Sequence, residues 1–239
     1  QCPGLVEAEA HARGAIEMGR KGPWAHHALA HVMLTQGRIE EGHAFLREVS
    51  DTWSGLNSFM VTHNWWHQAL FALEQDRADE VLELYDRQVW GVAKDYSQDQ
   101  INAVSLLARL ELAGVDVGDR WQDVASYLAP RMDDHVLPFL DLQYLLGLAR
   151  ADRPEADVLL ARMQAHAGEA RPDQRVVWED VCLPAGRGLV AWARGEEMAR
   201  PNAPPGMGVR FDRVAGNSLL VLDRILIDKE RRGERAEES

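Results

Sequence analysis

"HALAHVMLTQGRIEEGHAFLREV", residues 27–49, contains an apolar run, a tight turn at Gly37-Arg38 and a second apolar run that follows two acids. Its apolar side chains recur every three or four residues, which is the spacing of an amphipathic α-helix and not of a strand. Glu40 and Glu41 stand where the positively polarised start of a helix favours acids. The stretch therefore predicts two helices joined by a tight turn.

The same pattern returns along the chain. It is found in residues 67–88, 101–131 and 142–164, which turn at Asp76, Gly114 and Asp152. Arginine follows the turn at Arg38, Arg77 and Arg153, so the intervals are 39 and 76 residues, close to one and two repeats of a single length. Helix–turn–helix units with this period predict an all-α fold of the α-solenoid type, in which each unit buries its apolar stripe against its neighbours.

We expect one helical-repeat domain over residues 1–230, followed by a polar tail over 231–239. The antiparallel helix pairs are expected near 23–50, 60–90, 98–131, 138–168 and 175–230, with a fifth turn at Gly195. Residues 1–20 resemble the second helix of a unit whose first helix is missing, so we interpret the chain as a fragment or processed form. An uncapped apolar stripe there would favour self-association.

The composition limits the partners and the compartment. The chain has 239 residues, of which 46% are hydrophobic and 27% charged, as expected of a folded domain. A net charge of −12 disfavours binding to nucleic acid or to an anionic membrane. The sequence contains only Cys2 and Cys182, which is typical of a reducing compartment, and we expect a cytoplasmic protein.

Several stretches also resemble a known family. "QGRIEEG", residues 36–42, resembles the inter-helix turn of tetratricopeptide repeats, and "HALAHVMLTQGRIEEGHAFL", "HNWWHQALFALEQDRADEVLELYD" and "SLLARLELAG" resemble the tetratricopeptide repeat protein 38 family. The resemblance implies tetratricopeptide-like antiparallel helix pairs and makes this chain the C-terminal half of such a protein. It implies no assigned reaction. The chain departs from the family at Asn217 and Ser218, where a Ser-His pair is usual.

In the register implied by the resemblance, the first helix of each pair lines a concave groove. Six side chains then lie on or beside the groove: Trp24, His27, His31, His63, Trp66 and His67. Aromatic rings beside imidazoles suit recognition of a peptide or small molecule. We therefore interpret the protein as a binding module that holds a protein segment or a small ligand and needs no cofactor.

The alternative interpretation is a metal-assisted, hydrolase-like enzyme. Histidines four residues apart on one helix can chelate Zn²⁺ or another divalent metal, and two such pairs, His27 with His31 and His63 with His67, would supply four nitrogens. Against this, no glutamate stands between the histidines, as it does in the helical zinc-protease motif, and i, i+4 pairs are common in ordinary packing. No catalytic residue can be assigned, and whether the protein is an enzyme stays open.

Other candidates are interpreted as structural. Trp65, Trp121, Trp178 and Trp192 fall in apolar stripes and are expected in the core, with Cys182 as a small buried residue. His135 lies in the acidic loop "MDDH" and is expected to face water.

Overall fold

The computed structural model describes residues 3–195, and every regular element in that range is helical. The all-α prediction is therefore confirmed for this part of the chain. None of the helices between residues 3 and 195 is long and apolar enough to cross a membrane. Four predictions lie outside the described residues: most of the last pair, its final helix, the tail at 231–239 and the departure at Asn217 and Ser218.

The described helices are α1 Pro3–Met18, α2 Pro23–Thr35, α3 Ile39–Val49, α4 Ser58–Leu73, α5 Ala78–Leu84, α6 Ser97–Leu112, α7 Arg120–Leu128, α8 Pro138–Arg150, α9 Glu155–Glu169, α10 Pro172–Val176 and α11 Leu183–Ala193. The 3₁₀ turns Ser50–Trp53 and Ala129–Arg131 extend α3 and α7. The π-helical turns Tyr85–Val89 and Val177–Cys182 continue α5 and join α10 to α11.

The five predicted turns share one backbone conformation. Positive φ angles occur at Gly37 (70°), Asp76 (57°), Gly114 (82°), Asp152 (51°) and Gly195 (68°). At the first turn, the Gly37 N–H donates to the Leu34 carbonyl oxygen at 3.1 Å. The Arg38 N–H donates to the Met33 carbonyl oxygen at 2.9 Å. This pair of bonds is the Schellman motif, which needs a left-handed residue after the helix, and it recurs after α4, α6 and α8.

The helices contact one another in a regular order. Each of α2, α4, α6 and α8 packs against its own successor: α3, α5, α7 and α9 respectively. The first helices also touch in series, since α2 contacts α4, α4 contacts α6, α6 contacts α8 and α8 contacts α11. At the N-terminal end of the described range, α1 packs on α2 and buries Ala12. Residues on α2 and α4 are thereby brought side by side.

Two close approaches fix how neighbouring pairs fit together. A Cβ atom at Gly42 on α3 would stand 2.3 Å from the ring of Phe71 on α4. A Cβ atom at Gly147 on α8 would stand 2.4 Å from a methyl group of Leu128 on α7. Both Phe71 and Leu128 are fully buried. Each glycine therefore leaves the space that a large side chain of the adjacent pair fills.

The tryptophan and cysteine predictions hold to different degrees. Trp121, Trp178 and Cys182 are buried, as expected. Trp65 and Trp192 are only partly buried, although both pack against the core. Burial raises the pKa of the Cys182 thiol to about 12, and the charge of Asp141 adds to the effect, so this thiol is not a nucleophile at neutral pH.

The prediction that His135 faces water is wrong. Its Nδ1 lies 2.6 Å from Oδ2 of the buried Asp141, and its ring stacks on His166 with 4.8 Å between centroids. The helix of Asp141 packs beneath the loop, so the buried carboxylate draws the imidazole inward. His166, on α9, covers the imidazole ring, and the sequence near His135 gives no signal for that contact.

Candidate functional site

The four candidate histidines come from two helices that lie side by side. His27 and His31 are one turn apart on α2, and His63 and His67 are one turn apart on α4. Pro23 begins α2, where the missing N–H costs nothing. The Asn57 side chain accepts a hydrogen bond from the Met60 N–H at 3.0 Å and so caps the start of α4. Each helix therefore begins at a defined residue, and the count from that residue sets the direction in which its two histidines project.

The imidazoles converge on one point. His27 Nε2 lies 3.0 Å from His31 Nε2 and 3.1 Å from His63 Nε2. One ring nitrogen from each of the four histidines can be chosen so that all four lie within 4.8 Å of one another. The structure thus brings together all four residues named in the metal alternative. Within the described residues, no acidic or cysteine side chain belongs to this group.

His67 lies deeper than the sequence indicates. It was expected beside the groove, but the residue is 1% exposed and neither ring nitrogen has a hydrogen-bond partner among residues 3–195. His31, by contrast, is exposed, and His27 and His63 are partly buried. The cluster therefore runs from a solvent-exposed ring on α2 to a buried ring on α4.

Aromatic rings flank the imidazoles. Trp66 stacks on His63 with 5.3 Å between centroids and an interplanar angle of 7°, and Phe59 stacks on the same ring at 5.0 Å. Trp24 is 62% exposed, with its ring edge-on to His27 at 5.9 Å and 6.4 Å from Phe59. Both predicted tryptophans thus adjoin the histidines, with Trp24 at the outer end.

Two residues of α6 belong to the site and escaped the sequence analysis. Asn102 Oδ1 lies 3.2 Å from Nδ1 of His63, and the guanidinium of Arg109 lies 5.4 Å from the centre of the Trp66 ring. Phe59 was missed in the same way. Asn102 and Arg109 belong to the next helix pair, so only contact between helices reveals them. Phe59 lies one turn before His63 on α4, and its i, i+4 spacing was a signal that could have found it.

The cluster is electrically neutral at physiological pH. Burial, with smaller contributions from the charges of His31 and His63, lowers the pKa of His27 to about 4. Burial is also the main cause that lowers the pKa values of His31, His63 and His67. Neutral imidazoles keep a nitrogen lone pair, so each ring can accept a hydrogen bond or ligate a metal.

Neighbouring histidines show what ordinary packing looks like in the same helices. His26, next to His27 in the chain, is fully buried and accepts a hydrogen bond from Trp53 Nε1 at 3.1 Å. His43 on α3 pairs with Glu80 at 3.0 Å. Each of these has a hydrogen-bond partner of another type, whereas within the described residues the ring nitrogens of His27 and His31 lie at hydrogen-bond distance only from other imidazoles. The cluster is therefore distinct from the structural histidines.

No protein-family model matches this chain, and no solved structure matches its fold. The resemblance to the tetratricopeptide repeat protein 38 family therefore stays a prediction. So does the concave groove: two open clefts of about 650 and 540 Å³ lie along α3, α4, α5 and the turns that follow them, and neither is lined by one of the four clustered histidines. The hydrolase-like alternative also stays a prediction, and it calls for a carboxylate that the cluster does not contain.

Proposed function

We propose that this chain is a tetratricopeptide-like α-solenoid that acts as a binding module. Three features support the proposal: the serial contacts of the first helices, the repeated Schellman turns, and turn positions separated by 39, 38, 38 and 43 residues. Antiparallel pairs that stack with a nearly constant period present their first helices along one side. That side is the binding face.

The observation that carries the proposal is a continuous row of rings across α2 and α4. It runs through Trp24, Phe59, His63 and Trp66, with successive centroids 5.0–6.4 Å apart. Trp24 is the outer end, and its 62% exposure is unusual for so large an apolar side chain. Large rigid rings lose little entropy on binding and anchor partner segments well. The ligand is a protein segment or small molecule that places an apolar or aromatic group against Trp24 and Phe59.

Selection of peptides from a random phage-displayed library tests this function. We expect wild-type protein to enrich a sequence family, and Trp24→Ala to weaken binding of the selected peptide at least tenfold. The matched control is Phe139→Ala, which removes another exposed ring, 56% accessible, from the start of α8. Equal binding by wild type and Trp24→Ala, or no enrichment at all, contradicts the proposal.

The wider setting follows from the composition. A net charge of −12 favours a protein or small-molecule ligand over nucleic acid or an anionic membrane. The use of only two cysteines supports a cytoplasmic location. Self-association through α1, whose Val6 and Met18 are exposed, belongs to the same proposal.

A further inference from the structure

We propose that His27, His31, His63 and His67 form a binding site for one divalent transition-metal ion, which links α2 to α4. The inference does not depend on partner binding, because the ring faces form the proposed binding row while the ring-edge nitrogens would hold the ion.

The spacing of the nitrogens fits such an ion. A tetrahedral ion with metal–nitrogen distances of about 2.0–2.1 Å places its ligand atoms about 3.3–3.4 Å apart. The two measured contacts of His27 Nε2, at 3.0 and 3.1 Å, fall within a few tenths of an ångström of that value. The widest separation, 4.8 Å, requires a closure of about 1.4 Å, which side-chain torsions can supply.

The count of protons points the same way. A neutral imidazole carries one N–H. Asn102 Oδ1 accepts the proton of His63 Nδ1, which leaves a lone pair on His63 Nε2. His27 Nε2 must then donate to His63, and its single proton cannot serve His31 Nε2 equally well. With the His27 proton on Nδ1 instead, a cation at the centre would accept a lone pair from Nε2 of His27, of His31 and of His63. The contact from Asn102 is the kind of outer hydrogen bond that orients metal-ligating histidines.

His67 supplies an independent observation. The residue is 1% exposed, its ring lies against the other imidazoles, and neither nitrogen has a hydrogen-bond partner in the part of the chain that the structure describes. Ring centroids of His31 and His63 lie 4.5 and 4.8 Å from that of His67. An unsatisfied buried polar group is destabilising, so native proteins rarely keep one without a purpose. Coordination gives one of these nitrogens a partner.

The ligand set selects the class of metal. Four imidazoles without a carboxylate suit borderline ions such as Zn²⁺, Co²⁺, Ni²⁺ and Cu²⁺. Mg²⁺ and Ca²⁺ prefer oxygen ligands and are disfavoured. His31 is exposed, so the ion can enter from the solvent side of α2. With two ligands from each helix, the ion would couple two consecutive helix pairs.

Titration of EDTA-treated protein with Co²⁺ tests the site. We expect one equivalent to bind with the intense visible bands of tetrahedral Co²⁺, and Zn²⁺ to displace it while a large excess of Mg²⁺ does not. The double variant His27→Ala/His63→Ala should lower Co²⁺ affinity at least 100-fold. His31→Ala removes an exposed ligand, so it leaves the fold unchanged and should also weaken binding by at least tenfold. His11→Ala, an exposed histidine of α1, is the matched control and should bind as wild type does.

Three results would overturn the site. These are no Co²⁺ binding by wild type, octahedral spectra only, or unchanged affinity in His31→Ala together with the double variant. Circular dichroism of each variant shows whether it is folded, and the result from His31→Ala decides if the double variant is not. The outcome is separable from the proposed function, because peptide selection on EDTA-treated protein reports on Trp24 without any metal.

Discussion

At the scale of single residues, Asp99 is a buried carboxyl group whose charge costs stability. It is fully buried on α6, and its Oδ1 accepts a hydrogen bond from Thr62 Oγ1 at 2.5 Å. Its Oδ2 has no hydrogen-bond partner among the described residues. Burial raises the pKa of Asp99 to about 6, against the opposing effect of the Thr62 hydrogen bond. The folded protein therefore holds this proton up to about pH 6, well above the ordinary value of 3.8, and carries the buried charge at higher pH.

We predict that Asp99→Asn stabilises the protein at pH 7.5 and has little effect near pH 4. The folded-state pKa lies above the ordinary value of 3.8, so the stability associated with this group is complete below pH 3.8 and is lost as the pH rises through about 6. Asparagine removes the charge and keeps the acceptor for Thr62. The expected gain in the free energy of unfolding at pH 7.5 is at most about 3 kcal/mol.

Urea unfolding of both proteins at the two pH values measures this difference. Asp95→Asn, at an exposed position, is the control and should change stability by less than about 0.5 kcal/mol at either pH. A gain of the same size at pH 4 and pH 7.5 would rule out the charge as its cause.

Asn102 gives a second prediction at this scale, which assumes the proposed metal site. Replacement by leucine keeps all four histidines but removes the acceptor for His63 Nδ1. Loss of such an outer hydrogen bond typically lowers metal affinity by about 10–100-fold. We expect that loss in a Co²⁺ competition assay, with one equivalent still bound. Unchanged affinity would mean that Asn102 does not orient His63.

The residues of the cluster were predictable to different degrees. Spacing along α2 and α4 was enough to propose that His27, His31 and His63 approach one another. The depth of His67 was not predictable, because one residue of error in register rotates a side chain by about 100°. Asn102 lies 39 residues from its partner His63, and no local pattern in the sequence joins them.

At the scale of elements, the Schellman turns make a prediction about backbone conformation. A Cβ atom at Gly37 would meet nothing within 4 Å, so the cost of Gly37→Ala comes from its φ of 70° alone. We expect a loss of about 1 kcal/mol in the free energy of unfolding. Asp152→Gly, at a φ of 51°, should change stability in the opposite direction, by a few tenths of a kcal/mol to about 1 kcal/mol.

Thermal or urea unfolding measures both changes. Gly14→Ala is the control: it lies within α1, its added Cβ would also meet nothing within 4 Å, and alanine there should stabilise the helix by about 0.5–1 kcal/mol. If Gly37→Ala proved as stable as Gly14→Ala, the left-handed conformation at Gly37 would not be needed.

Helices and turns were predictable from the sequence because both signals are local. Apolar spacing marks the helices, and Gly or Asp before Arg marks the left-handed residue of three Schellman turns. The fourth turn has Val115 after Gly114. The π-helical turn Tyr85–Val89 was not predictable, because its wider hydrogen bonding has no distinct spacing in the sequence. Its Tyr85 and Val89 are fully buried, so packing against the core favours the extra residue in the turn.

At the scale of the whole molecule, the proposed ion would join two helix pairs and leave distant pairs unaffected. A ligand that binds only the folded protein, present at about 100 times its Kd, raises the free energy of unfolding by about 2.7 kcal/mol. We expect Zn²⁺ at that level to slow amide hydrogen exchange in α2 and α4 and to leave local opening in α9 unchanged. If Zn²⁺ slowed exchange through local opening in α9 as much as in α2 and α4, or did not slow it in α2, the bridge between α2 and α4 would be contradicted.

The approaches at Gly42 and Gly147 have a consequence for how such a protein can be rearranged. In each approach a glycine packs against one large side chain: the Phe71 ring lies against Gly42, and Leu128 lies against Gly147. A helix pair that is moved to a new place in the chain, by recombination or by design, carries only one of the two residues of each contact. Swapped helix pairs will therefore be compatible only where the glycine and the side chain packed against it are exchanged together, so a chimera should not be cut at either of these two interfaces.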